Sequence, residues 1–319
     1  MDPTAIRDLI IPIEGYDDLK RRLLGGELER YRRSLEWLIP CPGGSLVDLG
    51  SRGDLVPVYR EVLGYERVVC LDTAGLDGPR RLVHRGGATY GFDAHRVNLE
   101  QEPFPLLDAT IDQVVAMEVL EHLAFDPMFM LAEANRVLKP GGRLLLTTPN
   151  INSLASVYLQ LGGRHPAVGR QAFGPGTMDR HHREYTPTEV REMLVAAGFE
   201  IQNLDTFDQI PPNPSVRRVG RLLRLLNWLK PGVERHLRGR VIRCEGVKVR
   251  GVVERFPEIV YSRYEYYDYA AYDRELTERF GGRRYWQTTA CPLGQERTDP
   301  SVEGSAASTK IEPAVLAQT

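Results

Sequence analysis

Short apolar runs alternate with amphipathic helical stretches from Ser45 onward. Such alternation is typical of βαβ units built around a largely parallel sheet. The strands that we predict are Ser45–Leu49, Arg67–Leu71, Arg96–Asn98, Ile111–Met117, Gly142–Thr148, Phe199–Phe207 and Val247–Val253. Helical patterns lie between them, over about residues 54–63, 127–138 and 187–197. The pattern therefore predicts an α/β fold with helices on both faces of one sheet.

Outside this alternation, the sequence predicts an N-terminal cap, a basic insertion, a C-terminal extension and a tail. A charged amphipathic helix is expected over residues 17–39, where Pro40 ends it. The tail is rich in Ser, Ala, Thr, Pro and Glu, a composition that cannot bury enough apolar surface to fold. The predicted units are an N-terminal helical cap (1–43), a core (44–260) that contains a basic helical insertion (208–240), a tyrosine-rich extension (261–292) and a disordered tail (293–319).

Composition restricts the classes of partner and compartment. The formal net charge of the 319 residues is -2, so nucleic acid is not the expected partner. The four cysteines show no CxxC spacing, which disfavours both a disulfide framework and a cysteine zinc site. The sequence shows no signal-peptide pattern and no apolar run long enough to span a bilayer. We therefore expect a cytoplasmic protein.

Two segments differ in composition from the chain as a whole. Residues 214–230 form a basic amphipathic pattern, which allows peripheral contact with an anionic membrane and would suit a lipid-linked saccharide. A crossover helix that packs its leucines on the sheet is the more common explanation, and we favour it. The tyrosines in 261–272 suit stacking on sugar rings or a homodimer face, with packing inside the chain as the default.

The first predicted strand runs into a turn that carries candidate cofactor chemistry. Asp48 precedes Gly50 and Gly53, but the segment contains neither GxGxxG nor a P-loop lysine, so it lacks the usual phosphate cradle. Asp72 follows the second strand, where a carboxylate can accept both ribose hydroxyls. These positions favour a nucleoside without phosphates. The alternative is a tight turn beside a solvated strand end.

Successive motifs resemble those of class I S-adenosylmethionine-dependent methyltransferases, over about residues 44–210. The motifs are Leu46–Gly53, Asp72, Asn98–Glu100, Glu118–His122, Arg136–Gly142 and Thr147–Asn150. A weaker likeness at Glu254–Tyr261 is to methyltransferases of bacterial surface-polysaccharide assembly. The resemblance implies a Rossmann-like, seven-stranded mixed sheet whose last strand is antiparallel, and S-adenosylmethionine as the cofactor.

Position by position, the resemblance implies a set of cofactor-binding residues along the ends of the first four strands. These are Asp48, Gly50, Ser51, Gly53, Asp72, Thr73, Asn98, Leu99 and Met117. Arg52 and Asp54 stand where the family has small residues. We therefore expect a remodelled cofactor loop.

The candidate acceptor end begins at Glu118. With a helix starting there, Glu118, Glu121 and His122 would share one face and could hold a divalent cation such as Mg²⁺. The segment resembles EVxEH of metal-assisted O-methyltransferases that act on quinol precursors and RNA 3′ ends, with His181 or His182 as a further ligand. Similar segments occur in methyltransferases without metal, so a hydrogen-bond cluster at the helix start is the interpretation that we favour.

A long loop over 160–184 ends in a histidine pair. His181 and His182, followed by Tyr185, are candidates for proton removal or acceptor contacts, together with His122 and Glu118. An equal alternative is that these groups only fix the loop against the next helix.

Three functions remain open from the sequence. The leading one is O-methylation of a sugar, a glycolipid or another small-molecule hydroxyl. The second is metal-assisted methylation of an RNA 3′ end. The third is a non-catalytic module that binds S-adenosylmethionine.

Overall fold

The computed structural model describes residues 3–73, 80–166, 180–220, 237–262 and 267–279. Its helices are α1 Pro3–Ile10, α2 Asp18–Leu35, α3 Val56–Glu61, α4 Pro127–Val137, α5 Leu154–Leu161, α6 Pro187–Ala196 and α7 Tyr269–Arg279, with a 3₁₀ turn at Leu120–His122. Its strands are β1 Ser45–Leu49, β2 Arg67–Asp72, β3 Arg80–Arg85, β4 Ala88–Arg96, β5 Ile111–Met117, β6 Leu138–Pro149, β7 Phe199–Phe207 and β8 Val241–Lys248.

The strands form one mixed sheet in the order β3-β4-β2-β1-β5-β6-β8-β7. The five inner strands from β4 to β6 pair in parallel, whereas β8 is antiparallel to both of its neighbours. The predicted α/β class and the antiparallel last strand are confirmed. The predicted strand number is wrong, since the described part of the sheet has eight strands rather than seven.

The additional strand is β3, which pairs with β4 as an antiparallel hairpin. The two turn glycines, Gly86 and Gly87, have φ of 52° and 83°, which the turns of two-residue hairpins require. The third strand was predicted at 96–98 but lies at Ala88–Arg96, where buried Tyr90, Phe92 and Ala94 alternate with less buried residues. In the sequence, the Gly-Gly pair and this alternation are the features that indicate the β3–β4 hairpin.

The last strand was also predicted too late, at Val247–Val253 instead of Val241–Lys248. Arg243 and Glu245 lie inside this strand and are both buried. Because charged residues interrupt the apolar run, the sequence pattern does not show a buried strand here. The Arg243 guanidinium lies 3.6 Å from the centroid of the Trp37 ring, and Glu245 pairs with Arg143 at 2.7 Å. These partners explain why the two charges are tolerated there.

The sheet carries a hydrophobic cluster on each face. One cluster contains residues of α4 and α6, and the other contains residues of α1, the end of α2 and α3. Helices on both faces are thus confirmed. The N-terminal segment, residues 3–38, contributes Ile6, Ile10 and Leu35 to the second cluster, although the boundaries of the predicted units stay predictions.

The C-terminal segment is tied to the start of α4. Asp126 caps this helix by accepting from Phe129 N, and its buried carboxylate also accepts from Arg255, Tyr261 and Tyr272. Phe256 stacks on Tyr269 with 4.8 Å between ring centroids. The contacts support packing as the role of Tyr261, Tyr269 and Tyr272, whereas Tyr264 and Tyr266 lie outside the described residues.

The basic insertion is described only at its start and end. Residues 214–220 are helical, and Val216 is buried. Residues 221–236 and the tail 293–319 lie outside the described ranges, so peripheral membrane contact, a homodimer face and a disordered tail stay predictions. Within the described part of the chain, no helix combines the length and apolar character needed to cross a bilayer.

Candidate cofactor and active site

The loop after β1 contains two glycines that no other residue could replace without strain. Gly50 and Gly53 have φ of 66° and 96°. A Cβ added at Gly50 would lie 2.7 Å from Val119 Cγ2, and one at Gly53 would lie 2.5 Å from the Phe92 ring. Both the backbone conformation and the close packing therefore require glycine. The loop is held against the carboxyl ends of the strands.

Asp48 lies beneath this loop and is buried. Its carboxylate accepts hydrogen bonds from the hydroxyls of Tyr59, at 3.0 Å, and Ser51. Burial raises the pKa of Asp48 to about 7, since the hydrogen bonds offset only part of the cost of removing the charge from water. Asp48 therefore connects the loop, through Ser51, to α3, through Tyr59.

We expect Asp48→Asn to change how stability depends on pH. The folded-state pKa is raised from 3.8 to about 7, so the unfolded chain loses this proton first as the pH rises. The contribution of Asp48 to the free energy of unfolding consequently falls between about pH 4 and pH 7. The variant should lack this slope and be more stable than the wild type at pH 8 by about 1–3 kcal/mol. Urea denaturation at pH 5 and pH 8 measures it, and an equal difference at both pH values would contradict the assignment.

Asp72 ends β2 beside the same loop. Arg52 Nε lies 3.4 Å from its Oδ2, and the Thr73 hydroxyl lies 3.4 Å from its Oδ1. The Arg52 side chain is 59% exposed and the Asp72 side chain 14%, and a distance of 3.4 Å is long for a hydrogen bond between them. A ribose diol could therefore take the place of the guanidinium at Asp72.

Asp54, the second departure from the family loop, contacts the N-terminal segment. Its carboxylate accepts from Lys20 Nζ at 2.7 Å and from the Tyr16 hydroxyl. Burial and the charge of Asp54 raise the pKa of Tyr16 above its usual range. Asp54, one of the two residues for which a remodelled loop is expected, thus joins the loop to the start of α2.

The remaining predicted cofactor residues follow β4 and β5. Asn98 Oδ1 accepts from Glu100 N at 3.0 Å, Leu99 is buried, and Met117 is the last residue of β5. Because β4, β2, β1 and β5 are adjacent parallel strands, their carboxyl ends meet at one edge of the sheet. The structure thus places all the predicted cofactor residues at this edge.

Glu118 follows β5 with φ of 57°, an uncommon conformation for a residue other than glycine. Its carboxylate accepts from the Thr147 hydroxyl at 3.0 Å. Burial raises the pKa of Glu118, and the positive charge of Arg30 opposes this rise. Strained backbone at a non-glycine residue is common at functional sites.

Arg30 is a site residue that sequence reasoning missed. It lies on α2, pairs with Glu27 at 2.5 Å, and has a side chain that is only 12% exposed. Its charge acts on both Glu118 and Glu121. The helix pattern showed a charged face but could not show that this face lies over the carboxyl edge of the sheet.

The predicted geometry of the acidic motif needs correction. Residues 120–122 form a 3₁₀ turn rather than the start of an α-helix, and Glu118 precedes it in another conformation. Among the described residues, the group that could hold a metal ion is Glu121, His122 and His181, whose ligand atoms all lie within 4.8 Å of one another. This group joins the predicted Glu121 and His122 to His181, the possible further ligand, and does not include Glu118.

Glu121 is the buried member of this cluster. Its Oε2 accepts from the Thr148 hydroxyl at 2.8 Å, whereas Oε1 has no hydrogen-bond partner among the described residues and lies 3.9 Å from His122 Nε2. Burial and the charge of Glu118 raise the pKa of Glu121 well above its usual range. The rings of His122 and His181 meet edge to face, 5.0 Å apart.

The segment after the long loop is anchored on the 3₁₀ turn. His182 N donates to Glu121 O at 2.7 Å, and His122 Nδ1 lies 3.2 Å from Arg180 O. The backbone of His182 is thus held against the 3₁₀ turn, whereas His181 contacts the turn through its ring. Residues 167–179 of the predicted loop lie outside the described ranges.

Comparison with known families covers this part of the chain. A model of the methyltransferase domain family matches residues 20–204, which is more than half of the sequence. The chain belongs to the class I S-adenosylmethionine-dependent methyltransferases. The family resemblance of the sequence motifs is thereby confirmed, and S-adenosylmethionine is the cofactor of this methyltransferase family.

Curated relatives of this methyltransferase match it over part of their length. A protein of Mycolicibacterium smegmatis named "Probable S-adenosylmethionine-dependent methyltransferase" is 34% identical over 44% of this chain and 49% of its own. The chain thus spans about half the length of that relative. The ubiquinone biosynthesis O-methyltransferase of Ruegeria pomeroyi is 31% identical over 57% of this chain and 69% of its own.

Solved structures of S-adenosylmethionine dependent methyltransferases are similar at a more distant level. The protein from Mesorhizobium loti is 17% identical, with 69% of this chain and 97% of that chain covered and a TM-score of 0.43. The protein from Archaeoglobus fulgidus is 18% identical, with 71% and 94% covered and a TM-score of 0.44.

Proposed function

We propose that this methyltransferase transfers the methyl group to a hydroxyl oxygen of a small molecule. The observation that carries the proposal is the cluster of Glu121, His122 and His181 at the edge that also carries Asp48 and Asp72. Alignment of the nucleophile with the methyl group is the main requirement of such a transfer, and a hydroxyl must also lose its proton. An imidazole cluster meets that second requirement.

The donor set at the carboxyl edge fits S-adenosylmethionine, which supplies an activated methyl group when bound. Asp72 would accept from the ribose hydroxyls. The methionine part carries a carboxylate and an ammonium group, and Arg30 and Glu118 offer the opposite charges in one place. The β1 loop has no phosphate-binding lysine, in keeping with a nucleoside without phosphates.

Oxygen as the methylated atom is supported by the relatives that are named as ubiquinone biosynthesis O-methyltransferases. A sugar or glycolipid acceptor, and a place in polysaccharide biosynthesis, rest on the weaker likeness at Glu254–Tyr261. In that segment Arg255 and Tyr261 bind Asp126 at the start of α4. Their contacts account for these side chains without a saccharide, so we favour a small-molecule hydroxyl.

A divalent cation is the second candidate feature of the same site. One carboxylate and two imidazoles form a ligand set that suits a transition metal better than Mg²⁺, which prefers oxygen ligands. The buried Oε1 of Glu121, which lacks a hydrogen-bond partner among the described residues, supports the proposal. If bound, the cation would lower the pKa of an acceptor hydroxyl, and His181 would then be its ligand instead of the base that takes the hydroxyl proton.

A reduced, cytoplasmic location is part of the proposal. Among the described residues, Cys41, Cys70 and Cys244 form no disulfide with one another. Two of the three are buried, and cysteines that form no disulfide are typical of proteins from reducing compartments.

An acceptor panel tests the proposed function. Formation of S-adenosylhomocysteine is measured with catechol, with methyl glucoside and with an RNA oligonucleotide that has a free 3′ hydroxyl, each with and without EDTA. We expect turnover with catechol that His181→Asn lowers about 100-fold, while the surface variant Arg279→Ala leaves it unchanged. Turnover with RNA alone that EDTA abolishes would favour the RNA 3′-end alternative. Cofactor binding without turnover on any acceptor would favour a non-catalytic module.

A further inference from the structure

Glu184 is a fully buried acidic side chain in contact with the proposed acceptor site. Its Oε1 lies 3.0 Å from His181 Nδ1, and the His181 side chain is only 12% exposed. A carboxylate oxygen accepts hydrogen bonds and does not donate them. With an ionised Glu184 and a neutral imidazole, this contact places the imidazole proton on Nδ1 and leaves a lone pair on Nε2.

Both residues belong to a segment that is fixed at its two ends. On one side, His182 N donates to Glu121 O at 2.7 Å. On the other, Ile151 N donates to Tyr185 O at 3.0 Å, and Tyr185 is buried. The backbone on both sides of Glu184 is thus held by hydrogen bonds, which keeps its carboxylate near His181, and the contact with Nδ1 favours one orientation of the ring.

The His181 ring lies beside the other polar side chains of the proposed acceptor site. Its ring meets the His122 ring edge to face, and one of its nitrogens is within 4.8 Å of ligand atoms of both Glu121 and His122. Since Glu184 takes Nδ1, Nε2 is the nitrogen left for a molecule in the site.

We propose that Glu184 is the positioning residue of this site: it holds His181 as the Nδ1–H tautomer, so that the Nε2 lone pair faces the acceptor hydroxyl. The inference rests on the proposed O-methyltransferase function and assigns a role that the sequence motifs did not indicate. The family motifs in the sequence include neither Glu184 nor its pairing with His181.

In the proposed methyl transfer, His181 is the base for the acceptor hydroxyl. As the acceptor oxygen forms its bond to the methyl carbon, the carbon–sulfur bond breaks and its electron pair stays on sulfur, giving S-adenosylhomocysteine. The hydroxyl proton moves to His181 Nε2. The resulting imidazolium keeps its Nδ1–H bond to the Glu184 carboxylate, whose negative charge stabilises it.

Two substitutions separate the hydrogen bond from the charge. Glu184→Gln keeps an oxygen that accepts from Nδ1–H but removes the charge, whereas Glu184→Leu removes both. With ¹⁵N-labelled histidine, two-bond ¹H–¹⁵N spectra report the tautomer of each of the seven histidines, and His181→Asn assigns the signal. We expect the Nδ1–H form in the wild type and in Glu184→Gln, and its loss in Glu184→Leu. An Nδ1–H tautomer that persists in Glu184→Leu, or is absent from the wild type, would overturn the inference.

Turnover with catechol gives a second readout. We expect kcat to fall about 100-fold in Glu184→Leu and about tenfold in Glu184→Gln, with KM for S-adenosylmethionine within twofold of the wild type. Glu189→Gln is the matched control, because Glu189 pairs with Arg183 and caps α6 in the same segment. This control should lower Tm and leave both the tautomer and kcat unchanged.

The outcomes distinguish the inference from the function on which it rests. Wild-type turnover with Glu184 variants that match it in kcat would refute the positioning role alone. A wild type that binds S-adenosylhomocysteine but methylates no acceptor would refute the proposed function, while the spectra would still decide whether Glu184 sets the tautomer.

Discussion

Arg136→Ala is expected to lower the free energy of unfolding by about 3–5 kcal/mol. Arg136 and Glu133 are both buried and pair at 2.7 Å. The guanidinium also donates to the carbonyls of Phe104 and Leu106, which fixes the loop before β5 against α4. Removing it leaves a buried carboxylate without its counter-charge, and that loss exceeds what the pair contributes by attraction alone.

Chemical denaturation of both proteins at pH 7 measures this difference. Arg279→Ala is the control, since the pair of Arg279 with Glu275 is exposed and its loss should cost less than about 0.5 kcal/mol. A loss in Arg136→Ala no larger than that of the control would show that the buried network around Glu133 does not stabilise the fold.

Asp72→Ala is expected to weaken binding of S-adenosylhomocysteine by about 10- to 100-fold, or about 1–3 kcal/mol. The carboxylate ends β2 at the edge of the sheet, and its contact with the exposed Arg52 is weak. The variant loses the acceptor for the ribose hydroxyls while the strand stays in place. Asp93→Ala, on the neighbouring strand β4, is the control because its contact with Arg67 at 3.7 Å is exposed. Equal affinities in the two variants would exclude Asp72 as the ribose ligand.

Much of the fold could be predicted because the inner strands are continuous apolar runs bounded by turns. The inner strands β1 and β5 begin and end where the sequence pattern places them, and so does the edge strand β7. β8 could not be placed in this way because its Arg243 and Glu245 are buried through partners that are distant in sequence. The alternation that marks a strand is lost when a charge is buried by such partners.

The cofactor end of the site was predictable for a geometric reason. Residues that follow successive parallel strands must meet at one edge of the sheet, which places Asp48, Asp72 and Met117 near one another. The rest of the site depends instead on contacts between distant segments. The pairing of Asp54 with Lys20, the approach of Arg30 to Glu118 and the contact of His122 with Arg180 all join residues that no local pattern connects.

Isothermal titration calorimetry of the wild-type protein with S-adenosylhomocysteine tests the central claim, a nucleoside pocket at the carboxyl edge of β1, β2, β4 and β5. We predict saturable binding of one molecule per chain and a rise in Tm that follows the ligand concentration, with a weaker affinity and a smaller rise in Tm in Asp72→Ala. Neither binding heat nor a shift in Tm at millimolar ligand would contradict the claim.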